Sequence, residues 1–177
     1  MGPMADITVR ALTEEDWETY RSARLEALTE SPEAFVATVE DEERFPEQEW
    51  HNRMTRSVRL LAEVDGEQAG VASIGEATTE EEPTVAELFG LWVRPASRGT
   101  GVASALVKAG ADTARERGRT HLTYWVGSDN GRAVAFASGF GFRPTDSRRP
   151  MRVVSEDDGE EEICMILPLT GDRGADF

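Results

Sequence analysis

The sequence predicts an α/β (α+β) fold of about seven strands and about four helices. Seven short segments with the character of strands are interspersed with four segments of helical spacing. The chain has 177 residues and no composition break, so its length suits one domain with a sizeable core. We therefore expect a single domain over residues 6–169, with tails at 1–5 and 170–177.

Start, stop and turn signals delimit the elements of the first half. Thr13 followed by three acidic residues resembles a helix-starting capping box, and Ser31-Pro32 ends that helix. Asp65-Gly66 lies between two apolar runs and predicts the tight turn of a hairpin. The predicted elements are a strand at 7–10, a helix at 14–30, a loop or short helix at 35–43, a helix at 47–56, and strands at 58–64 and 68–74.

The second half is delimited in the same way. Gly118 predicts the end of one helix, and Asn130 can cap the start of the next. The predicted elements are a charged loop at 76–83, a strand at 84–93, a helix at about 100–117, a strand at 121–127, a helix after residue 130, and an antiparallel pair at 142–154 and 161–167 joined by a turn at 156–159.

The most informative segment is the strand, glycine loop and helix at residues 88–104. An apolar strand ends at Arg94-Pro95, and a helical run begins after Gly99 and Gly101. This arrangement directs several backbone N–H groups and a helix N-terminus at one point, which is a site for phosphate. Without a Cβ at the two glycines, a diphosphate can approach the backbone closely. The sequence therefore predicts a phosphate-bearing ligand here.

Two common phosphate-loop patterns do not fit this segment. A Walker A loop needs a lysine directly after its last glycine, but the first lysine after Gly101 is Lys108. A dinucleotide fingerprint would place Ser104 at its last small position. It would also need an acidic residue about 20 residues further on, where residues 119–121 are Arg-Thr-His.

A third pattern, Arg/Gln-x-x-Gly-x-Gly/Ala, is met by Arg98, Gly101 and Ala103. Here the sequence resembles the GNAT N-acetyltransferase superfamily, whose members bind the pyrophosphate of acetyl-CoA on this loop. Downstream, Asn130 and a helix ending in a Gly-Phe pair resemble the family's Asn-x-x-Ala…Gly-Phe segment. The resemblance is strong over residues 84–142. It implies the GNAT fold, in which a mixed, mostly antiparallel and splayed sheet of about seven strands is flanked by about four helices.

The resemblance also implies an activity and a donor. The expected reaction is transfer of the acetyl group of acetyl-CoA to a primary amine, by direct attack in a ternary complex. No metal is expected, because His51 and His121 are isolated from other ligands in the sequence. The residues expected to contact acetyl-CoA are Leu91, Trp92, Val93, Arg98, Gly99, Thr100, Gly101, Val102, Ala103, Ser104, Asn130, Ala133 and Phe136.

Two catalytic roles are expected on the strand before the loop. In the family a backbone N–H near this strand's end polarises the thioester carbonyl, and by position that N–H belongs to Val93. Glu87 is the expected general base, with Glu76 or a water as alternatives. Strict alternation along the strand would place Glu87, Leu91 and Val93 on one face, where apolar neighbours raise a carboxylate's pKa.

The chain departs from the family at the general acid. The tyrosine that many members carry in the last helix is replaced by Ala137, so Tyr124, Ser138 or a bound water would have to protonate the thiolate. This departure leaves two alternatives open. One is an acyl-CoA-binding or sensor module without catalysis. The other is transfer of a longer acyl group, since Ala137 and Gly139 are small.

The acceptor is constrained less than the donor. The family's acceptor cleft borders the segment that holds Phe35, Phe45 and Trp50, so Phe35 and Trp50 are candidate contacts. Residues 88–155 carry 11 Lys/Arg and 4 Asp/Glu, whereas the rest carries 8 and 30, which together give the net charge of −15. This asymmetry suits an anionic cofactor beside a cationic acceptor, and it disfavours nucleic acid.

The cysteine content and the lengths of the apolar runs indicate the environment in which the protein works. The single cysteine, Cys164, lies in an apolar run and is expected in the core, which fits a reducing cytoplasm. No apolar run of the sequence approaches the ~20 residues that a membrane span needs. We therefore expect no membrane partner, and analogy with the family suggests a homodimer.

Overall fold

The computed structural model describes residues 6–76, 84–150 and 161–169. Over these residues the strands are β1 (Ile7–Ala11), β2 (Val58–Val64), β3 (Glu67–Glu76), β4 (Val85–Val93), β5 (His121–Gly127), β6 (Arg143–Pro150) and β7 (Glu161–Pro168). The α-helices are α1 (Trp17–Glu30), α2 (Val39–Glu43), α3 (Glu47–Arg56), α4 (Val102–Glu116) and α5 (Gly131–Phe140). Short 3₁₀ turns lie at Glu14–Asp16, Pro32–Ala34 and Pro95–Ser97.

The seven strands form one mixed sheet in the order β1-β2-β3-β4-β5-β7-β6. All neighbouring strands are antiparallel except β4 and β5, which are parallel. The parallel pairing extends only from Val85↔His121 to Leu88↔Tyr124, and the two strands separate beyond it. The sheet is therefore splayed in its middle, between β4 and β5.

Local chemistry accounts for the turns and helix ends that frame this sheet. The Asp65-Gly66 hairpin turn has φ angles of +52° and +87°, a backbone that Asn, Asp and Gly tolerate best. Gly118 follows α4 with φ of +81°, which a residue with a Cβ adopts only under strain. The Asn130 side chain accepts a 3.1 Å hydrogen bond from the Ala133 N–H and so caps α5.

Helices cover both faces of the sheet and divide the core in two. On one face α4 packs against the sheet and buries Leu88, Leu106 and Leu122. On the other face α1 and α3 pack together and bury a second cluster that includes Tyr20 and Trp50. The structure is thus a helix–sheet–helix sandwich with the splay at its centre.

The predicted elements agree closely with this architecture. The seven strands are confirmed, and the segment at 35–43 contains the short helix α2, so the described residues hold five α-helices rather than about four. The predicted turn at 156–159, most of the charged loop at 76–83 and the proposed tails lie outside the described residues. None of the helices in the described part of the chain is long and apolar enough to cross a membrane.

Candidate functional site

A β-bulge lies in β4 where the strand leaves β5. The register with β3 changes from Ser73↔Phe89 to Val71↔Trp92, so β4 carries one extra residue at this point. Gly90 within the bulge has φ of +65°, a conformation that glycine adopts without strain. The bulge bends β4 away from its parallel neighbour and opens the gap between the two strands.

The bulge also moves each later side chain of β4 to the opposite face of the sheet. Leu88 and Val93 belong to the core beneath α4, whereas Trp92 belongs to the core beneath α1. The expectation of strict alternation is therefore wrong: Glu87 lies on the opposite face of the strand from Val93. A period of two fails here because the extra residue shifts every later side chain to the other face.

The backbone of Val93 points into the opened gap. The next residue, Arg94, donates its N–H to the Ala69 carbonyl of β3 at 2.7 Å. Since backbone groups of successive residues point to opposite edges of a strand, the N–H and C=O of Val93 point away from β3. The Val93 carbonyl accepts a 2.9 Å hydrogen bond from Arg98 Nε, and its N–H faces the side that β5 has left.

A cleft of about 610 Å³ lies between the end of β4, the glycine loop and the start of α5. We call it the loop cleft. It is lined by Ala34, Leu91, Trp92, Val93, Arg98, Gly99, Gly101, Ala103, Ser104, Asn130, Arg132, Ala133 and Phe136. The structure thus brings together all but two of the positions expected to contact the donor.

The two exceptions are Thr100 and Val102, which do not line the cleft. The Thr100 hydroxyl donates to the Ser97 carbonyl, and the Val102 side chain is buried in the core beneath α4. Only the backbone of Val102 belongs to the helix start. Ala34 was not expected, because nothing in the sequence indicates that the 3₁₀ turn after α1 reaches this cleft.

The loop cleft is suited to a negatively charged group. Gly99 and Gly101 have φ of +79° and +99° and turn the chain sharply into α4, whose first N–H groups have no acceptor within the helix. Arg98 and Arg132 add positive charge to the lining. Lys108 does not line the loop cleft. It pairs with Asp112 at 3.2 Å on the surface of α4.

A second cleft, of about 470 Å³, occupies the other side of the splay and is called the strand cleft. Ala34 and Leu91 line both clefts, so the two meet where β4 and β5 separate. The strand cleft is lined by Arg24, Ala34, Phe35, Val36, Ala37, Glu87, Leu88, Phe89, Gly90, Leu91, Tyr124, Trp125, Arg149 and Glu162. It therefore holds Glu87 and Phe35, the expected base and one expected acceptor contact.

Tyr124 also lines the strand cleft, on β5 at the last paired position before the splay, where it pairs with Leu88 and packs against the core beneath α4. Burial raises the pKa of the Tyr124 phenol, so its hydroxyl keeps its proton at neutral pH. By contrast, Ser138 is exposed on α5, and Ala137 is buried in the core. Because Ala137 and Gly139 line neither cleft, their small size does not argue for a longer acyl chain.

Two further candidates lie away from both clefts. Trp50 is only 1% exposed and packs edge-on against Tyr20 and obliquely against Phe45, which corrects the expectation that it contacts an acceptor. It is buried because α3 needs an apolar residue to dock on α1. Glu76, the alternative base, pairs with Arg119 at 2.6 Å at the end of β3.

A third cavity, of about 200 Å³, adjoins the strand cleft and is called the arginine pocket. Its lining consists of Tyr20, Arg24, Arg53, Arg56, Arg59, Val71, Ser73, Phe89 and Gly90, and it shares Arg24, Phe89 and Gly90 with the strand cleft. No local motif predicts this pocket, because its four arginines come from three different elements. The expected cationic acceptor would meet arginines here rather than an acidic surface.

The described residues contain neither a cluster of metal ligands nor a reactive cysteine. Within them no three His, Cys, Asp or Glu side chains are grouped to hold a metal ion. His51 contacts the carboxylates of Glu14 and Glu47 at 3.2 and 3.1 Å. Cys164 is buried, as expected, and burial raises the pKa of its thiol, which disfavours the reactive thiolate.

Comparison with known proteins gives a family and a fold. The profile of the Acetyltransferase (GNAT) family matches residues 10–142. Streptothricin acetyltransferase from Streptomyces lavendulae is 33% identical over 108 residues, which are 59% of this chain and 53% of that protein. The chain thus spans about half the length of the curated relatives it matches.

Solved structures agree with the family. yncA from Salmonella typhimurium, a structure with its cofactor acetyl-CoA, has a TM-score of 0.69, 20% identity and coverage of 92% of this chain and 94% of that one. The ribosomal-protein-S18-alanine N-acetyltransferase from Escherichia coli has a TM-score of 0.66, 22% identity and coverage of 93% and 94%. These likenesses concern the fold alone. The chain belongs to the GNAT acetyltransferase family, as its profile match shows.

Proposed function

We propose that this member of the GNAT family is an N-acetyltransferase that moves the acetyl group of acetyl-CoA to a primary amine in a ternary complex. One observation carries the proposal. The loop cleft and the strand cleft meet at the splay, with the Val93 amide facing the gap and Glu87 lining the far side. Donor and acceptor can therefore enter from opposite sides and meet at one point, which makes the attack effectively intramolecular.

The loop cleft is the proposed donor site. The pyrophosphate would bind the N–H groups at the start of α4, beside Arg98, where the helix dipole favours negative charge. The pantetheine arm would follow the edge of β4 toward Leu91 and Val93, because β5 has left that edge open. Acetyl-CoA supplies the activated acyl group, and no metal ion is required in this scheme.

The chain's own residues then have three roles. The Val93 N–H stabilises the oxygen of the thioester carbonyl as it becomes negative, an effect typically worth ~3 kcal/mol. Glu87 removes one proton from the attacking amine, directly or through a water, as the C–N bond forms and the C–S bond breaks. Tyr124, whose hydroxyl stays protonated, gives a proton to the leaving thiolate.

The runner-up is an acyl-CoA-binding module that does not catalyse transfer. The observation that favours it is the replacement of the family's helix tyrosine by the buried Ala137. The two functions differ in turnover, not in binding: a catalyst acetylates an amine and loses this activity in Glu87→Gln, whereas a sensor binds the donor without turnover in either form.

The first test is calorimetric titration of acetyl-CoA into the wild-type protein and Gly101→Asp. Aspartate puts a side chain and a negative charge where the diphosphate would lie, so binding should be lost. Because a residue with a Cβ is strained at φ of +99°, Gly101→Ala reports the effect of the strain and the Cβ without the negative charge. Gly118→Asp adds the same charge at φ of +81° at the other end of α4 and should bind normally.

The proposal fails if the wild-type protein does not bind acetyl-CoA. It is also weakened if Gly118→Asp loses binding as fully as Gly101→Asp, because the loss would then reflect instability. Binding by the wild type and Gly118→Asp, with loss in Gly101→Asp, supports the donor site and justifies a screen of amines.

A further inference from the structure

We propose that the amine acceptor carries an anionic group, and that Arg59 in the arginine pocket binds it. The acceptor class is thus a small amino acid, or an amine with an equivalent oxyanion such as a phosphinate. This inference rests on the proposed function and deepens it by naming the kind of acceptor. It also reverses the expectation of a cationic acceptor drawn from the overall charge.

Arg59 is the observation that carries the proposal. Its side chain is 5% exposed, yet its hydrogen bonds go to neutral groups: Nε donates to the Arg53 carbonyl at 3.1 Å and Nη1 to Ser73 Oγ at 2.8 Å. Throughout residues 6–76, 84–150 and 161–169, no carboxylate forms an ion pair with it. A buried guanidinium without a counter-ion is costly, so a site that keeps one is prepared for an anion.

The surroundings of Arg59 increase this preference. Burial lowers the pKa of Arg59, and the charges of Arg53, Arg24 and Arg56 lower it further, while Tyr20 opposes them. Two of these neighbours share one carboxylate, Glu42, at 3.0 Å from Arg24 and 2.9 Å from Arg53.

The described residues of the arginine pocket carry more positive than negative charge. Among residues 6–76, 84–150 and 161–169, the carboxylates that pair with the four arginines of the pocket are Glu42 and Glu49, which contacts Arg56 and Arg53 at 3.5 and 3.4 Å. Over these residues, four positive charges against two negative ones leave an excess of two. An acceptor with one negative group would reduce that excess, whereas a polyamine would increase it.

The position of Arg59 relative to Glu87 fits a small molecule. Arg59 pairs with Ser73, and Ser73 pairs with Phe89, so these three form one row across β2, β3 and β4. Glu87 lies two residues along β4 from Phe89, on the same face. Strand spacings of about 4.8 Å and 3.3 Å per residue put the Arg59 and Glu87 backbones roughly 12 Å apart.

The long Arg59 side chain shortens this gap, because its guanidinium lies 5.7 Å from the centre of the Phe89 ring. A molecule with its anionic group at Arg59 would pass through the junction of the arginine pocket and the strand cleft. Its amine would then lie near Glu87, toward the splay. The planar fork of a guanidinium matches a carboxylate or phosphinate in two parallel hydrogen bonds, which fixes the orientation as well as the affinity.

The experiment measures acetylation of a panel of free amino acids, each beside its carboxamide, together with polyamines and short peptides. The carboxamide keeps the amine and the side chain but removes the negative charge. For at least one amino acid, we expect kcat/KM to be roughly 10- to 100-fold higher for the acid than for its carboxamide, the size of a charge-assisted hydrogen bond. In Arg59→Gln that ratio should fall to near one, through a higher KM for the acid.

Controls separate recognition from folding and from donor binding. Arg10→Gln makes the same change on β1, outside the three cavities, where Arg10 pairs with Glu63, and it should keep the preference. The melting temperature and the acetyl-CoA affinity of Arg59→Gln should match those of the wild type. Thermal stabilisation by the acids in the presence of CoA, absent with the carboxamides, gives a readout that needs no turnover.

The outcomes distinguish the two proposals. Acetylation of carboxamides, peptides or polyamines as fast as of the acids overturns the anionic acceptor and leaves the acetyltransferase proposal intact. A preference for the acid that survives in Arg59→Gln assigns recognition to another residue and also overturns the inference. Failure to bind acetyl-CoA at all would instead overturn the proposed function.

Discussion

Arg98 Nε donates a 2.9 Å hydrogen bond to the carbonyl oxygen of Val93, so an arginine of the glycine loop holds the last residue of β4. The same guanidinium reaches Ser31 Oγ at 3.3 Å, and Ser31 also accepts a 3.0 Å bond from Trp92 Nε1. The end of α1, the end of β4 and the loop are therefore joined in one network. In the proposed mechanism this network couples the phosphate site to the peptide that stabilises the oxyanion.

Replacing Arg98 tests this coupling. Arg98→Gln removes a positive charge from the loop cleft and the anchor of the Val93 carbonyl, so we expect KM for acetyl-CoA to rise roughly 10-fold and kcat to fall as well. Steady-state kinetics measures both. Lys108→Gln makes the same charge change on the outer surface of α4, where Lys108 pairs with Asp112, and should leave both constants nearly unchanged. Equal effects of the two changes would contradict a specific role for Arg98.

Replacing Glu87 tests the proposed base. Glu87→Gln keeps the shape of the side chain but cannot accept the amine proton, so we expect kcat to fall by about 10²- to 10⁴-fold. Acetyl-CoA affinity, measured by calorimetry, should not change, because Glu87 lines the strand cleft and not the loop cleft. Glu76→Gln is the matched control, since Glu76 pairs with Arg119 outside both clefts. A larger loss in Glu76→Gln than in Glu87→Gln would reverse the assignment.

The residues around Gly101 show why most of the loop cleft's lining could be predicted from the sequence. Several features of this region depend only on local backbone conformation, so a few consecutive residues are enough to predict them. They are the positive φ at Gly99 and Gly101, the cap at Asn130 and the helix end at Gly118. Most positions expected in the loop cleft lie in the glycine loop or at the start of the helix that Asn130 caps. Val102 shows the limit: its place in the loop pattern suggests a contact with the donor, but its side chain is buried in the core beneath α4 and does not line the cleft.

The acceptor side could not be predicted, because it depends on contacts between distant segments. Arg59 meets Ser73 and Phe89 only through the pairing of three strands. The bulge at Gly90 adds one residue to β4, which reverses the faces expected for Leu91 and Val93. A lone glycine within an apolar run is a sign of a bulge, but it does not fix the register.

Replacing Tyr124 tests the proposed acid. Tyr124→Phe removes the hydroxyl and keeps the ring that packs 6.0 Å from Phe142, so the fold should persist while kcat falls roughly 10- to 100-fold. Burial raises the pKa of Tyr124, so the wild type should not lose activity through ionisation of this phenol below about pH 10. Ser138→Ala should have no effect. A kcat of Tyr124→Phe equal to the wild-type value would indicate that water protonates the thiolate.

Glu42 links the stability of the fold to the arginine pocket. This buried carboxylate accepts two hydrogen bonds from Arg24 and two from Arg53, at 2.9 to 3.2 Å. Burial alone would raise the pKa of Glu42, but the bonds and charges of the two arginines outweigh burial and lower it below its ordinary value of 4.5. Glu42→Gln leaves both arginines without their counter-ion and should lower the free energy of unfolding by about 3–5 kcal/mol.

Urea denaturation of wild type and Glu42→Gln as a function of pH measures this effect and its sign. Because the pKa of Glu42 is lowered in the folded state, its contribution is full above the unfolded value of 4.5 and is lost as the pH falls through the folded value. The two proteins should therefore converge in acid. Glu49→Gln, which removes a more exposed partner of Arg53, should cost less than about 1 kcal/mol. A difference between wild type and Glu42→Gln that stayed constant into strong acid would mean that the Glu42 charge contributes nothing, and that the variant is destabilised by packing alone.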